Sequence, residues 1–267
     1  MRCFYLRVHL YNLDFGRIKA AMDLKDKVAV VTGGNRGIGK AISLELSKKG
    51  AAVAVNYRTN ADSADRVVNE IVKNKGKAIK VGADVSRPDQ VEKMFQTVLE
   101  HFGRVDILVN NAGTMGQIHL LEISESDWDR VLAVNLKGVF NCCQQAIKIF
   151  LEQGGGKIVN FSSVAGKMGG VAGAHYAASK AGVIGLTMAL ATEFARKNIW
   201  VNAIAPGPIR TEMFDSLPKE KQELMANSTH VGRMGEPREM AHAVIFLLEN
   251  DFISGETLNA SAGRYLG

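Results

Sequence analysis

Residues 28–39 have the sequence Val-Ala-Val-Val-Thr-Gly-Gly-Asn-Arg-Gly-Ile-Gly, and this stretch decides the fold. Four consecutive apolar residues predict a buried β-strand, and an amphipathic helical pattern begins where the glycines end. Glycine suits a turn whose backbone amides must approach a ligand closely or adopt a positive φ. A strand, a glycine turn and a helix in this order are typical of a phosphate site, because a helix N-terminus favours negative charge. An ordinary tight turn is the alternative when such a motif stands alone.

The chain after Lys27 continues the same alternation of apolar runs and amphipathic stretches. This pattern predicts a single-domain α/β fold, a Rossmann-like doubly wound parallel sheet of about seven strands flanked by helices. The predicted strands are 28–33, 51–57, 78–84, 106–113, 156–163, 199–207 and 255–263. The predicted helices are 37–49, 61–75, 88–102, 126–152, 176–197 and 237–248. Residues 208–235 interrupt the alternation, and we expect a loop or a mobile helical lid there.

The composition is that of a globular protein. The chain has 267 residues, of which 46% are hydrophobic and 22% charged, so it can bury a core without disulfides or metal. Half of the net charge of +6 comes from residues 1–21, and the rest is scattered, so we expect no nucleic-acid partner. The three cysteines have neither disulfide-framework nor metal-site spacing. We therefore expect a cytoplasmic protein without a metal site.

The first 21 residues do not share the pattern of the remainder. Arg7, His9 and Asn12 interrupt their apolar residues, so they lack a signal-peptide core and are too polar to span a bilayer. We expect residues 1–21 to be an extension outside the core, non-native if Met22 is the true start, and 22–267 to form the domain. An organelle-targeting peptide is the alternative. No other segment approaches a transmembrane span, so we expect no membrane partner.

Tyr176 and Lys180 are four residues apart in a predicted helix and therefore share one face. A free phenol has a pKa near ~10, and a neighbouring cation favours the phenolate. We expect Lys180 to lower the pKa of Tyr176, so that Tyr176 can exchange a proton with a carbonyl oxygen. A Tyr-x-x-x-Lys sequence alone is common on surface helices, so this pair needs supporting residues.

The glycine turn has the form TGxxxGxG. Because it occurs together with the Tyr176–Lys180 pair, the chain resembles the short-chain dehydrogenase/reductase family from about Lys25 onward. The resemblance implies that Ser163, thirteen residues before Tyr176, holds the substrate oxygen. It also implies that Asn135 holds a water near Lys180, and that Lys180 binds the nicotinamide ribose. The predicted catalytic residues are Asn135, Ser163, Tyr176 and Lys180.

The end of the second predicted strand indicates NADP(H) as the cofactor. NAD-binding folds of this kind place an acidic residue there, whereas this strand ends Asn56-Tyr57-Arg58. Arg58 and Arg36 could meet a 2′-phosphate; two solvated surface arginines are the alternative. The glycine turn, the strand end and the resemblance together give one set of predicted cofactor-binding residues: Gly33, Asn35, Arg36, Gly37, Ile38, Gly39, Tyr57, Arg58, Asp84, Val85, Asn111, Ala112, Gly113, Tyr176, Lys180, Pro206, Gly207, Ile209 and Thr211.

Within the family, residues 158–169, 176–182 and 255–267 are most similar to 3-oxoacyl-[acyl-carrier-protein] reductases. That resemblance implies NADPH-dependent reduction of a carrier-linked 3-oxoacyl thioester in fatty acid biosynthesis. It also implies a docking cation at Lys197 and a homotetramer formed through residues 126–152 and 176–197. The chain departs from this pattern at Gly154, where a second docking arginine is expected, and at Ala262, where a glycine is expected.

Other features leave the substrate open. Gly173-Ala174-His175 replaces the polar residues usual before the tyrosine, and the His175–Tyr176 pair is similar to that of sugar dehydrogenases. An NADP(H)-dependent dehydrogenase of a sugar, polyol or small ketone is therefore the main alternative. A non-catalytic NADP(H)-binding protein is the third hypothesis, and the intact Asn135, Ser163, Tyr176 and Lys180 argue against it.

Overall fold

The computed structural model describes residues 22–116, 118–170, 172–212 and 218–267. Its parallel sheet has the strand order β3-β2-β1-β4-β5-β6-β7, which confirms the predicted fold class. The strands are β1 (Val28–Val31), β2 (Ala52–Tyr57), β3 (Ala78–Gly82), β4 (Ile107–Asn110), β5 (Gly156–Phe161), β6 (Ile199–Pro206) and β7 (Thr257–Ala260). The order reverses between β1 and β4, and the carboxyl ends of strands at such a point form the usual ligand crevice of this fold.

Helices cover both faces of the sheet. They are α1 (Gly37–Lys48), α2 (Ala61–Lys73), α3 (Pro88–Phe102), α4 (Glu125–Leu132), α5 (Gly138–Gln153), α6 (Ala165–Met168), α7 (Ala174–Phe194), α8 (Lys219–Asn227) and α9 (Pro237–Leu248). Short 3₁₀ turns occur at Leu120–Glu122 and Ala195–Lys197. The predicted extension, residues 1–21, lies outside the described residues.

Alternate residues of β1 enter two separate cores. Val28 and Val30 belong to the cluster that includes buried residues of α3, α5 and α7. Ala29 and Val31 belong to the cluster that includes buried residues of α1, α2 and α9. Because successive side chains of a strand point to opposite faces, a strand covered on both faces must be apolar throughout. This explains why the run before the glycine turn contains no polar residue.

The predicted helix 126–152 is interrupted in the structure. A π-helical turn, Ala133–Lys137, separates α4 from α5. Asn135, within this turn, is fully buried. Wide turns of this kind occur mostly as single insertions inside α-helices, frequently at functional sites. The sequence predicted one continuous helix here, because the apolar positions on each side of the turn keep helical spacing.

For the segment 208–235 the sequence predicted a loop or a mobile helical lid. The structure shows a helix there, α8. Residues 213–217 lie outside the described residues. The mobility of this segment stays a prediction.

Helix α2 ends in a Schellman motif with a lysine at the left-handed position. Gly76 N donates to Ile71 O at 3.0 Å, and Lys75 N donates to Val72 O at 2.9 Å. Lys75 has φ +65°. Glycine is the usual residue at this position, since a Cβ atom disfavours the left-handed conformation.

Candidate active site

The glycine turn forms a cradle at the carboxyl end of β1. Gly33 and Gly37 have φ values of +60° and +51°. A Cβ atom on Gly39 would lie 2.1 Å from the carbonyl oxygen of Gly33, so only glycine lets α1 approach the turn this closely. Arg36 is the N-cap residue of α1 and makes no capping hydrogen bond with its side chain. Exposed amides at a helix N-terminus suit a phosphate group, so the turn fits a dinucleotide.

Polar side chains at or just beyond the carboxyl ends of three strands brace this turn. Asn56 Oδ1 accepts from Gly33 N at 3.2 Å. Thr32 Oγ1 accepts from the backbone amides of Asn111 and Ala112, both at 3.0 Å. Asn111 Nδ2 donates to the carbonyl oxygens of Thr32 and Gly33 at 3.0 and 3.1 Å. Sequence reasoning missed the bracing roles of Thr32 and Asn56, although a polar residue at the end of a buried strand was a usable signal.

A cavity of about 610 Å³ extends from the glycine turn over the ends of β2 and β3. Most of the predicted cofactor residues of the amino-terminal half line it: Gly33, Asn35, Arg36, Gly37, Ile38, Arg58, Asp84, Val85, Asn111, Ala112 and Gly113. Eight polar residues that are not in the predicted set also line it: Lys40, Asn56, Thr59, Asn60, Ser63, Arg66, Thr114 and Glu212. The cavity is therefore more polar and more basic than the sequence motif alone suggested.

Two predicted cofactor residues lie elsewhere. Gly39 is buried beneath the turn and lines neither this cavity nor the second one, because its role is close packing of α1. Tyr57 also lines neither cavity. Its ring packs over Gly82, where a Cβ atom would lie 3.2 Å from the tyrosine oxygen. The alternation of the strand turns Asn56 toward the glycine turn and Tyr57 away from it.

Arg58 lies at the open edge of the first cavity. Its side chain is 60% exposed, and Nη1 is 4.0 Å from Asp84 Oδ2. Asp84 also accepts from the backbone amide and the hydroxyl of Ser86, at 2.9 and 2.7 Å. Such an exposed pair contributes little stability, so the guanidinium can turn to another anion at small cost.

A second cavity, of about 390 Å³, contains the predicted catalytic tyrosine. Residues from both halves of the predicted site line it: Gly113, Ser163, Tyr176, Lys180, Pro206, Gly207, Ile209 and Thr211. The two cavities share Arg36, Ile38, Asn111, Gly113, Thr114 and Thr211. They therefore form one continuous cleft along the carboxyl ends of the central strands.

Tyr176, Lys180 and Ser163 come together in this second cavity. Lys180 Nζ lies 5.8 Å from the centre of the Tyr176 ring and donates to Phe161 O at 2.7 Å. Burial lowers the pKa of Lys180 to about 8. The expectation that Lys180 lowers the pKa of Tyr176 is wrong for this structure. Burial raises the pKa of Tyr176, and a hydrogen bond with Ser163 opposes that rise.

Asn135 connects the loop after β4 to α7. Its side-chain oxygen accepts from Thr114 N at 2.8 Å, and its amide donates to Thr114 O at 2.9 Å and Ser179 Oγ at 3.1 Å. A Cβ atom on Gly113 would lie 3.3 Å from Asn135 Oδ1 and 3.7 Å from Lys180 Nζ. The π turn thus places Asn135 close to Lys180.

The family model described as short chain dehydrogenase matches residues 27–222. The chain belongs to the short-chain dehydrogenase family. As a short-chain dehydrogenase it is an oxidoreductase that acts on CH–OH or C=O groups. The resemblance to this family that was stated from the sequence is thereby confirmed.

Curated relatives of this short-chain dehydrogenase match almost the whole chain. The 3-oxoacyl-[acyl-carrier-protein] reductase FabG of Staphylococcus epidermidis is 41% identical over 243 residues, which are 90% of this chain and 100% of the relative. FabG of Staphylococcus aureus is 42% identical over 242 residues, 90% of this chain and 98% of the relative. The 3-oxoacyl-[acyl-carrier-protein] reductase of Synechocystis sp. is 43% identical over 246 residues, 91% of this chain and 98% of the relative.

Two further observations concern the described part of this short-chain dehydrogenase. Within it, no group of three or more His, Cys, Asp or Glu side chains is arranged to hold a metal ion. Among the helices in the described ranges, none combines the length and apolar character needed to cross a bilayer.

Proposed function

We propose that this short-chain dehydrogenase reduces a 3-oxoacyl thioester, carried by acyl carrier protein, to the 3-hydroxyacyl product with NADPH. The observation that carries the proposal is the meeting of Tyr176, Lys180 and Ser163 in a cavity continuous with the glycine turn. The names of the relatives in Staphylococcus and Synechocystis support the substrate class.

The described residues fit a dinucleotide along the whole cleft. The glycine turn and the N-terminus of α1 would hold the pyrophosphate, and Arg36 and Arg58 would bind a 2′-phosphate. Asp84 and Val85 would border the adenine, while Lys180, Ile209 and Thr211 would border the nicotinamide and its ribose. When bound, the reduced nicotinamide supplies a hydride to a carbonyl carbon.

Tyr176 is suited to donate the proton. Because burial raises its pKa, the phenol is protonated at neutral pH and can give its proton to the substrate oxygen. Ser163, which lines the same cavity as Tyr176, would hold that oxygen in place. Lys180, with a pKa of about 8, is mostly protonated at pH 7 and would place a positive charge beside the tyrosine ring. Asn135 would position these groups by holding Thr114 and Ser179.

The proposal includes a partner, an assembly and a compartment. Arg196 and Lys197 are exposed beyond α7 and could meet an acidic carrier protein. Phe140, Leu151 and Met188 are exposed on α5 and α7, which suits burial between subunits of a homotetramer. The three cysteines, which lack the spacing of a disulfide framework, favour the cytoplasm.

The proposal is tested with acetoacetyl-CoA and NADPH, comparing the native enzyme with Tyr176→Phe. General acid catalysis is typically worth about 10²–10⁴-fold, so kcat should fall by at least about a hundredfold. Tyr265→Phe is the matched control, because Tyr265 lines neither cavity and keeps its ring beneath Lys167. Activity that survives Tyr176→Phe would contradict the assigned role. Oxidation of glucose with NADP⁺, without reduction of the thioester, would favour the sugar dehydrogenase alternative.

A further inference from the structure

The second cavity carries an excess of positive charge. Arg36, Lys180 and Arg264 line it, and no aspartate or glutamate is among its described lining residues. A cavity lined by one sign of charge attracts ligands of the opposite sign. Two of these cations already have a purpose in the proposed function, since Arg36 also borders the first cavity and Lys180 lies beside Tyr176. Arg264 does not.

Arg264 has donors to spare. Its Nη1 donates to the hydroxyl of Ser228, and within the described residues its side chain forms no ion pair. A guanidinium carries five N–H donors in a planar fork that matches a carboxylate. One hydroxyl therefore leaves most of this fork available to a ligand.

The surrounding backbone holds Arg264 in place. Arg264 N donates to Ser261 O at 3.1 Å, and His230 N donates to Ala262 O at 2.9 Å, so the carboxyl-terminal tail is attached to the segment after α8. Gly263 makes the turn between them, with φ +81°. Backbone that is ordered before the ligand arrives adds no further ordering cost on binding.

The size of the cavity limits where the negative charge can be. The volume of about 390 Å³ is within the usual range for small-ligand sites. Tyr176 and Arg264 both line this space, so one small ligand can contact both. The phosphate of a carrier arm is too many bonds from the thioester to fit this position.

We propose that Arg264 binds a carboxylate on the acyl chain of the substrate, so that the enzyme favours 3-oxoacyl thioesters whose chain ends in an acid. The inference rests on the proposed function and extends it to a substrate class. Arg264 would be a specificity residue that binds the ground state and the transition state alike.

The test uses 3-oxoadipyl-CoA and 3-oxohexanoyl-CoA, which have the same chain length and the same CoA phosphates and differ in a terminal carboxylate. We expect the native enzyme to show the higher kcat/KM with the acid. Arg264→Met should lower the acid-to-neutral ratio of kcat/KM by about tenfold to a hundredfold, mainly through the KM of the acid. Arg264→Lys should retain part of the preference, since it keeps the charge without the fork.

Ser228→Ala is the matched control, because it removes the same hydrogen bond and keeps the cation. It should leave the acid-to-neutral ratio at the native value. A ratio that changes less than about threefold in Arg264→Met, or that falls equally in Ser228→Ala, overturns the inference. The same assay tests the proposed function separately. If the native enzyme reduces the neutral thioester and Tyr176→Phe does not, the proposed function stands even where the inference fails. If neither thioester is reduced, the proposed function fails, and the inference fails with it.

Discussion

Lys180→Met should remove the activity and yet shift the stability of the folded chain in a way that depends on pH. The pKa of Lys180 is about 8 in the folded chain, against an ordinary value of 10.5. Since each pH unit is worth about 1.4 kcal/mol, burying the ammonium costs about 3 kcal/mol at pH 7. A methionine of similar length has no charge, so the variant avoids this desolvation cost. The variant also loses the hydrogen bond from Lys180 to Phe161 O, and this loss costs about 1–3 kcal/mol.

The direction of the pH effect follows from the lowered pKa. The unfolded chain binds the lysine proton more tightly than the folded chain, so the cost is fully present below about pH 8. It disappears as the pH rises toward 10.5, and at pH 9.5 about 1 kcal/mol remains. The hydrogen bond to Phe161 persists in the neutral amine. The difference in stability between Lys180→Met and the native protein should therefore move by about 2 kcal/mol, in favour of the native protein, between pH 7 and pH 9.5.

Urea unfolding of both proteins at the two pH values, at one protein concentration, measures this difference. Lys93→Met, which changes an exposed lysine of α3, should show no comparable movement. A Lys180→Met difference that stays constant within about 0.5 kcal/mol between the two pH values would refute the claim that burial lowers the pKa of Lys180.

Three further predictions concern stability, cofactor and partner. Lys75→Gly should stabilise the fold by about 0.5–1 kcal/mol in urea unfolding, because glycine relieves the left-handed position, whereas Lys73→Gly in the last turn of α2 should destabilise it. Arg58→Asp should raise the KM of NADPH at least about tenfold, while Lys93→Asp should not. Lys197→Glu should weaken reduction of the carrier-linked thioester and spare the CoA thioester, as steady-state kinetics would show.

A specific result would contradict each of these three predictions. Equal effects of Lys75→Gly and Lys73→Gly would show that the positive φ of Lys75 is not strained. An unchanged KM for NADPH in Arg58→Asp would leave Arg58 as a solvated surface residue. Equal losses with the carrier-linked and CoA thioesters in Lys197→Glu would point to a change inside the cleft rather than at a docking surface.

The sheet was predictable because its signals are local. The apolar run 28–31, the glycines after it and the amphipathic stretch 37–48 follow one another directly, and together they favour one interpretation. The spacing of Tyr176 and Lys180 also predicted their common face, and the cation lies beside the ring. Periodicity and i,i+4 spacing describe the backbone well enough to bring these groups together.

The electrostatics of the site could not be predicted in the same way. Helical spacing indicates that an ammonium is near a phenol, but it does not indicate how much water the loops exclude from both. In the structure desolvation dominates, and it raises the pKa of Tyr176 and lowers that of Lys180. Arg264 was missed for a related reason, because its position in the cavity depends on the fold of the tail against the segment that contains Ser228.

The hydroxyl of Thr32 joins two stretches of backbone that are 79 residues apart in sequence. It accepts from the amides of Asn111 and Ala112 and donates to Val109 O, so the glycine turn and the loop after β4 share one anchor. Such a frame is rigid before any ligand arrives, and little ordering entropy is lost when one binds. The amides of 109–112 should accordingly be among the slowest in the chain to exchange their hydrogens with solvent.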